Sequence, residues 1–429
     1  LDRIELNKAS HFRGEFSPTP DKSISHRAVL FSSLAKGESI IRNFLKAEDP
    51  MSTLHACRTL GADIDVKGDD IVVRGRGIHG FTEPPDVIDC GNSGTTMRLL
   101  AGVLAGNPFF SVLTGDASLR KRPMDRIIHP LRFMGAHLLS RAGDRYPPIA
   151  IKGGSLQPVN YVMPVASAQV KSALILAGLY AAGKTHIVEP VQSRDHTERM
   201  LSAFGANISV DGLRITVAGN GELRATDVTV PGDFSSAAFF IVGALLMQDA
   251  DITITGVGIN PTRTGLLDVL KEMGASIGLS RVREVSGEPV ADIHCTGGAA
   301  LKAVHITKER IPSLIDEFPI LCVAATQAAG TTFIKGAEEL RVKESDRIRC
   351  MATELGKMGA AVDEFPDGLA ISGGNRLTGS PIESHGDHRI AMAMAIAGLI
   401  AEGTTTIHGV SSVNVSFPGF FQLIRKLTS

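Results

Sequence analysis

Apolar and polar positions along this chain fall into a pattern that repeats. A polar start leads into a long Ala-rich apolar run, a glycine stops it, and a short β-branched segment follows, which predicts a helix and then a strand. The pattern occupies residues 22–42, 92–106, 167–188, 233–254, 316–334 and 387–407, six copies in all. A second pattern alternates with it: a helix ending in a bulky residue followed by Gly-Ala, then two short segments around a turn. It is seen at Leu60-Gly61-Ala62, Met134-Gly135-Ala136, Phe204-Gly205-Ala206, Met273-Gly274-Ala275 and Met358-Gly359-Ala360. Glycine after a last helical turn is the expected left-handed cap, and alternating segments such as residues 71–74 and 215–217 suit strands with one wet face.

The repeat is about 70 residues long, the size of a small α/β subdomain rather than of a solenoid unit. The sixth copy lacks its second half, because only the helix-like residues 420–427 follow it; the strand-like residues 3–6 can supply the missing partner. The expectation is an α/β protein of two lobes with three units each. Residues 1–18 and 229–429 would form lobe I and residues 19–228 lobe II, with crossings near residues 17–20 and 226–232, where Pro and Gly cluster.

If the six Ala-rich helices are equivalent, their N-termini carry an unusual inventory. They hold Lys22, Ser23 and Arg27, then Asn92, Ser93 and Thr95, then Ser167 and Gln169, then Asp233, Asp316, and finally Asp387-His388-Arg389. Ser23, Ser167 and Asp233 read as ordinary helix caps. Cations in a first helical turn are different, because the macrodipole disfavours them. Lys22, Arg27 and Arg389 therefore imply an anion held nearby. The side-chain-poor entry at residues 89–100 leaves backbone N–H groups suited to a phosphate or carboxylate. Arg120, Lys121 and Arg122 gather in a turn before a helix. Glu344 and Arg347 stand at i, i+3 in residues 341–347, where a surface ion pair of little energetic weight is the plain alternative.

Composition narrows the picture. A net charge of −1 over 429 residues, 21% of them charged, argues against a nucleic-acid binder. The 43% hydrophobic content supports substantial cores. Residues 1–6 lack the features of a signal peptide, and the longest apolar runs, such as residues 237–247, are too short for a bilayer span. Five scattered cysteines without a C-x-x-C pair, and 13 histidines without H-E-x-x-H, imply neither a disulfide framework nor a metal site. The expectation is a cytoplasmic protein whose basic residues, gathered at helix ends, hold small substrates with several negative charges.

Five segments then point to one family. Lys22-Ser23-Ile24-Ser25-His26-Arg27, Gly91-Asn92-Ser93-Gly94-Thr95-Thr96-Met97-Arg98, Lys121-Arg122-Pro123-Met124, Arg341-Val342-Lys343-Glu344-Ser345-Asp346-Arg347 and Asp387-His388-Arg389-Ile390-Ala391-Met392 together resemble the 5-enolpyruvylshikimate-3-phosphate synthases. The resemblance runs from about residue 10 to Ser416-Phe417-Pro418. It implies a two-lobed inside-out α/β barrel, six βαβαββ units with three per lobe, helices inside, closing over an active site in the cleft. It also implies transfer of the carboxyvinyl group of phosphoenolpyruvate to the 5-hydroxyl of shikimate 3-phosphate, by addition and elimination of phosphate, in aromatic amino acid (chorismate) biosynthesis. No cofactor, metal, nucleic acid or membrane is implied, and a monomer is expected.

The roles that follow are implied by the resemblance. Asp316, Glu344 and Lys22 would be catalytic, Asp316 as proton acceptor and Glu344 as proton shuttle at the methylene. Lys22, Ser23, Arg27, Ser167, Gln169, Arg194, Asp316 and Lys343 would hold shikimate 3-phosphate. Lys22, Gly94, Arg122, Gln169, Arg347 and Arg389 would hold phosphoenolpyruvate. Ala168 stands where one branch of the family has a second serine, and Val415 replaces a lysine of some members, both marks of a branch that often tolerates glyphosate. Gly94, whose replacement by Ala crowds that inhibitor, implies at least partial sensitivity. Two other readings compete. A UDP-N-acetylglucosamine enolpyruvyl transferase would carry a Cys within residues 115–122 and Lys-Asn in place of Lys22-Ser23. A non-catalytic two-lobed anion binder would gain nothing from Asp316 and Glu344 among its cations.

Overall fold

The computed structural model describes residues 2–429. Its strands form six sheets on one plan, a parallel pair continued by antiparallel partners. In one of them Ile88–Asp89 runs parallel to Phe110–Thr114, which pairs antiparallel with Tyr146–Lys152, which pairs antiparallel with His137–Ser140. With the helices Gly94–Ala105 and Asp125–Phe133 between them, the chain order is βαβαββ. The same arrangement recurs around Lys184–Val188 and around Thr331–Ile334. The sixth sheet has three strands: Pro381–Glu383 lies parallel to Thr404–His408, and Arg3–Asn7 pairs antiparallel with the latter.

The chain separates into two compact units. Unit one contains the residues up to Thr19, Pro231–Arg283 and Pro289–Ser429; unit two contains Pro20–Val230 and Glu284–Glu288. Each crossing follows a strand that stays behind. Phe12–Phe16 pairs in unit one with Ala250–Gly258, and Val228–Thr229 pairs in unit two with Lys36–Arg42. Residues 284–288, expected with lobe I, group with unit two. Their polar groups explain it: Ser286 Oγ accepts from Thr229 N at 2.9 Å, Gly287 O accepts from Arg199 Nη1 at 3.3 Å, and Glu288 Oε1 meets His196 Nδ1 at 2.7 Å.

Six helices form the interiors: α1 (Lys22–Leu34), α2 (Gly94–Ala105) and α3 (Ala168–Gly178) in unit two, α4 (Phe234–Leu246), α5 (Phe318–Thr326) and α6 (His388–Ile400) in unit one. All residues of α4 from Phe234 to Leu245 are buried, as are those of α6 from His388 to Leu399. A helix apolar around its whole circumference belongs inside, so helices make the core and sheets the wall. Each unit has its own hydrophobic cluster. Small residues let the helices approach closely: a Cβ on Gly102 of α2 would stand 2.2 Å from the Ala173 carbonyl oxygen of α3. The five Gly-Ala stops are caps of one type. Gly61, Gly135, Gly205, Gly274 and Gly359 have φ of 88, 96, 85, 101 and 87°. The following alanines each donate N–H five residues back, as Ala62 does to Cys57 O at 2.9 Å and Ala275 to Leu270 O at 2.9 Å, the Schellman pattern. Among the described residues no helix is long and apolar enough to cross a membrane.

Candidate active site

In unit two the polar residues sit at the starts of α1, α2 and α3. Asp21, not Ser23, caps α1, its Oδ1 accepting from Ile24 N at 2.8 Å. Lys22 is the first helical residue, and its ammonium donates to Asp49 Oδ2 at 3.0 Å, both side chains largely buried. A protein carboxylate thus relieves the conflict between this cation and the helix dipole. Arg27, one turn on, is buried and donates from Nε to Thr197 Oγ1 at 2.7 Å, from Nη1 to Ser23 O at 3.0 Å and from Nη2 to Ser172 Oγ at 2.9 Å. The bonds to Ser172 and Thr197 tie α1 to α3 and to the helix His196–Ala203.

Ser93 caps α2, accepting from Thr96 N at 3.1 Å. Gly94 follows, and a Cβ there would stand 2.6 Å from Arg98 Nη1 and 3.3 Å from Arg122 Nη1. Two guanidiniums therefore lie against a surface without a side chain. Arg122 Nη2 donates to Asn92 Oδ1 at 2.8 Å, and Asn92 Nδ2 to Asp116 Oδ2 at 2.7 Å. Arg98 Nη1 donates to Gln169 Oε1 at 2.6 Å, and Gln169 Nε2 to Thr95 Oγ1 at 2.9 Å. Ser167 caps α3, accepting from Val170 N at 3.4 Å. A buried relay joins the first two helix starts: His26 Nδ1 to Thr53 Oγ1 at 2.6 Å, Thr53 to Thr96 at 2.7 Å, Thr96 to Ser93 at 2.8 Å. Arg194 is half-buried in the segment before the helix His196–Ala203.

Unit one gathers the acids and the remaining arginines. Asp387 caps α6 through Arg389 N at 2.9 Å and accepts from Arg347 Nε at 2.8 Å and Ser345 Oγ at 3.1 Å. Arg347 reaches Glu344 Oε2 at 2.7 Å and Asp316 Oδ1 at 3.5 Å. Arg389 Nη2 stands 3.4 Å from Asp316 Oδ2, and its Nη1 donates to Asp316 O at 3.0 Å. The Asp316 carboxylate thus has one guanidinium at each oxygen. Burial works against the Arg347 cation, but the charges of Asp387, Glu344 and Asp316 outweigh it and push its pKa up. Burial likewise opposes the Asp387 anion, and the Arg347 charge overcomes it, holding the carboxyl below its usual range.

Two expectations change in unit one. The Arg347 side chain is 1% exposed, so its pair with Glu344 is not a surface salt bridge. The fifth helix begins at Phe318 after Glu317, and Asp316 does not cap it; its carboxylate is engaged by Arg347 and Arg389 instead. Lys343 is half-buried beside Glu344, after the 3₁₀ turn Glu338–Val342. Among the described residues there is no group of three or more His, Cys, Asp or Glu able to hold a metal ion.

The model of the EPSP synthase (3-phosphoshikimate 1-carboxyvinyltransferase) family matches residues 6–424. The chain belongs to the EPSP synthase family. The 3-phosphoshikimate 1-carboxyvinyltransferase of Thermodesulfovibrio yellowstonii is 54% identical over 429 residues, all of both chains. That of Gloeobacter violaceus is 52% identical over 426 residues, 99% of this chain and 98% of the other. A solved EPSP synthase from Acinetobacter baumannii, 46% identical, superposes with a TM-score of 0.88 over 99% of this chain and 98% of that one. The two-lobed, six-repeat inside-out architecture is that of the EPSP synthase fold.

Within this EPSP synthase family chain the structure brings together Gly94, Arg122 and Gln169 in one unit, and Asp316, Glu344, Arg347 and Arg389 in the other. Residues that sequence reasoning left without a role lie among them. Arg98 closes the segment 91–98, and its bond to Gln169 spans 71 positions with no local sign. Asp49 is 27 positions from Lys22 and equally unmarked. Asp387 stood at a helix start, where a cap is expected, but nothing in the pattern showed that it also anchors Arg347.

Proposed function

We propose that this chain transfers the carboxyvinyl group of phosphoenolpyruvate to the 5-hydroxyl of shikimate 3-phosphate, releasing phosphate. Asp316 takes the hydroxyl proton as that oxygen bonds to C2 of phosphoenolpyruvate, and Glu344 gives a proton to the C3 methylene, which becomes a methyl group. The C2–phosphate bond of the resulting ketal then breaks. Phosphate departs, and the methyl group returns a proton to the carboxylate as the double bond re-forms. Arg122, Arg347, Arg389 and Lys22 oppose the phosphate and carboxylate charges, with Gly94 and Gln169 lining the phosphoenolpyruvate position. Lys22, Ser23, Arg27, Ser167, Gln169, Arg194 and Lys343 hold shikimate 3-phosphate.

The observation that carries this reading is the Asp316 carboxylate flanked by Arg347 and Arg389 at 3.5 and 3.4 Å, with Glu344 on the same Arg347. Two partly open carboxylates among arginines serve proton transfer at an anionic substrate, which a pure anion receptor does not require. The reading includes a monomer working in the cytoplasm on small anions; all five cysteines are free and buried, which suits a reducing compartment. Purified protein should release phosphate from the two substrates with a chelator present. Asp316→Ala should lower kcat by about a hundredfold or more while phosphoenolpyruvate binding persists. Full activity in that variant would remove Asp316 as the base.

A further inference from the structure

Unit two holds a buried charge cluster to which the steps above give no part. Lys171 of α3 is 1% exposed, and its ammonium meets Glu189 Oε2 at 2.8 Å, Glu198 Oε1 at 2.7 Å and Ser193 O at 3.4 Å. An ammonium has three N–H donors, and these acceptors match them. The other oxygen of Glu189, Oε1, accepts from the Ser193 backbone N at 3.3 Å and from the Ser193 hydroxyl. Every polar group of Ser193, its N–H, its C=O and its O–H, therefore ends on Lys171 or Glu189. The next residue is Arg194.

The same ion pair reaches Arg27 through its neighbours. Ser172 follows Lys171, and Thr197 precedes Glu198; their hydroxyls lie 2.6 Å apart, and both accept from the Arg27 guanidinium. Packing does not account for such a cluster, since apolar residues of equal volume fill a core at no desolvation cost. Burial pushes the Glu198 carboxyl up against the pull of Lys171. What ions do here and apolar groups cannot is to hold a backbone segment by its own polar groups.

We propose that Lys171 and Glu189 are positioning residues for substrate recognition: they clamp Ser193 and thereby set Arg194 for the phosphate ester of shikimate 3-phosphate. The inference rests on the reading of Arg194 given above. It adds a specificity device outside the residues that meet substrate, built from an ion pair 18 positions apart.

The test uses the full-length protein and separates kcat from the two KM values. Glu189→Gln keeps the side-chain volume and removes the charge. It should raise KM for shikimate 3-phosphate about tenfold while kcat and KM for phosphoenolpyruvate stay within about twofold. Ser193→Ala, which deletes only the hydroxyl arm, should move the same KM in the same direction by about threefold, and it provides the measurement if the first variant fails to fold. Arg194→Ala should raise that KM too, and Glu189→Gln should add nothing on the Arg194→Ala background. If Arg194→Ala acts while Glu189→Gln and Ser193→Ala do not, or if the effects multiply in full, the positioning role is overturned and the Arg194 assignment stands. If Arg194→Ala leaves KM for shikimate 3-phosphate unchanged, the assignment of Arg194 falls, and the inference falls with it.

Discussion

Arg347 and Asp387, 40 positions apart in the chain, meet at 2.8 Å with side chains 1% and 0% exposed. A buried pair of this kind is costly to break, because the surviving charge is left without its partner. Asp387→Asn should lower stability by about 3 kcal/mol and reduce turnover, since Arg347 also holds Glu344 and Asp316. The sign with pH follows from the depressed native pKa of Asp387. Its contribution is complete above the unfolded value of about 3.9 and is lost as pH falls from there through the native value. The gap between wild type and variant, read from urea titrations, should be constant from pH 5 to 8 and close in acid; an equal gap throughout would contradict the pairing.

The thiols give a second expectation. Burial pushes Cys57 and Cys295 up to about 12 and Cys350 to about 11, so at pH 8 about one Cys350 side chain in a thousand is thiolate. Cys350 is 6% exposed and the other four cysteines 0%. Iodoacetamide should leave the native protein nearly unmodified, with Cys350 first to react, and all five should be alkylated once urea unfolds the chain. Mass spectrometry reads this directly, and fast labelling of Cys90 or Cys322 in the native protein would show that those interiors open.

What could be read from the sequence was what local geometry forces. The five Gly-Ala stops were legible because a left-handed residue after a helix demands glycine, and the helices were legible from their length and apolar content. Exact starts were not, since polar residues cluster there: Asp21 caps rather than Ser23, and the fifth helix starts beyond Asp316. Partnerships across the fold left no trace in spacing, as with Lys22 and Asp49 or Arg98 and Gln169. The roles of the arginines came from the family resemblance; that Arg347 is wholly buried and shared by three carboxylates is knowledge only the fold supplies.

His26 yields a third prediction, in a different pH window. Its ring is buried in α1; burial first, then the charges of Lys22 and Arg27, hold its pKa well below 6.5. Below pH 6.5 the unfolded chain takes up a proton that the native protein refuses. The stability tied to neutral His26 is therefore complete above 6.5 and declines towards acid, by about 1.4 kcal/mol per pH unit, until the native value is reached. In His26→Gln this component should vanish, so the stability of wild type relative to the variant should fall as pH goes from 6.5 to 5. A difference independent of pH over that range would mean that the imidazole is protonated in the native state.

Gly94 bears most directly on the proposed chemistry. A methyl group there would come within 2.6 Å of Arg98 Nη1 and 3.3 Å of Arg122 Nη1. Both are the far ends of long side chains, so Gly94→Ala should fold normally, with the guanidiniums displaced rather than the helix. Displacement of about 1 Å in a group that binds the departing phosphate weakens catalysis considerably. The variant should show KM for phosphoenolpyruvate raised by about tenfold or more, with KM for shikimate 3-phosphate little changed. Glyphosate should inhibit the wild type in competition with phosphoenolpyruvate and lose more potency in Gly94→Ala than phosphoenolpyruvate loses affinity, because a smaller free volume selects against the bulkier anion. Unaltered KM for phosphoenolpyruvate in the variant, or inhibition indifferent to phosphoenolpyruvate concentration, would place that substrate away from Gly94 and Arg122.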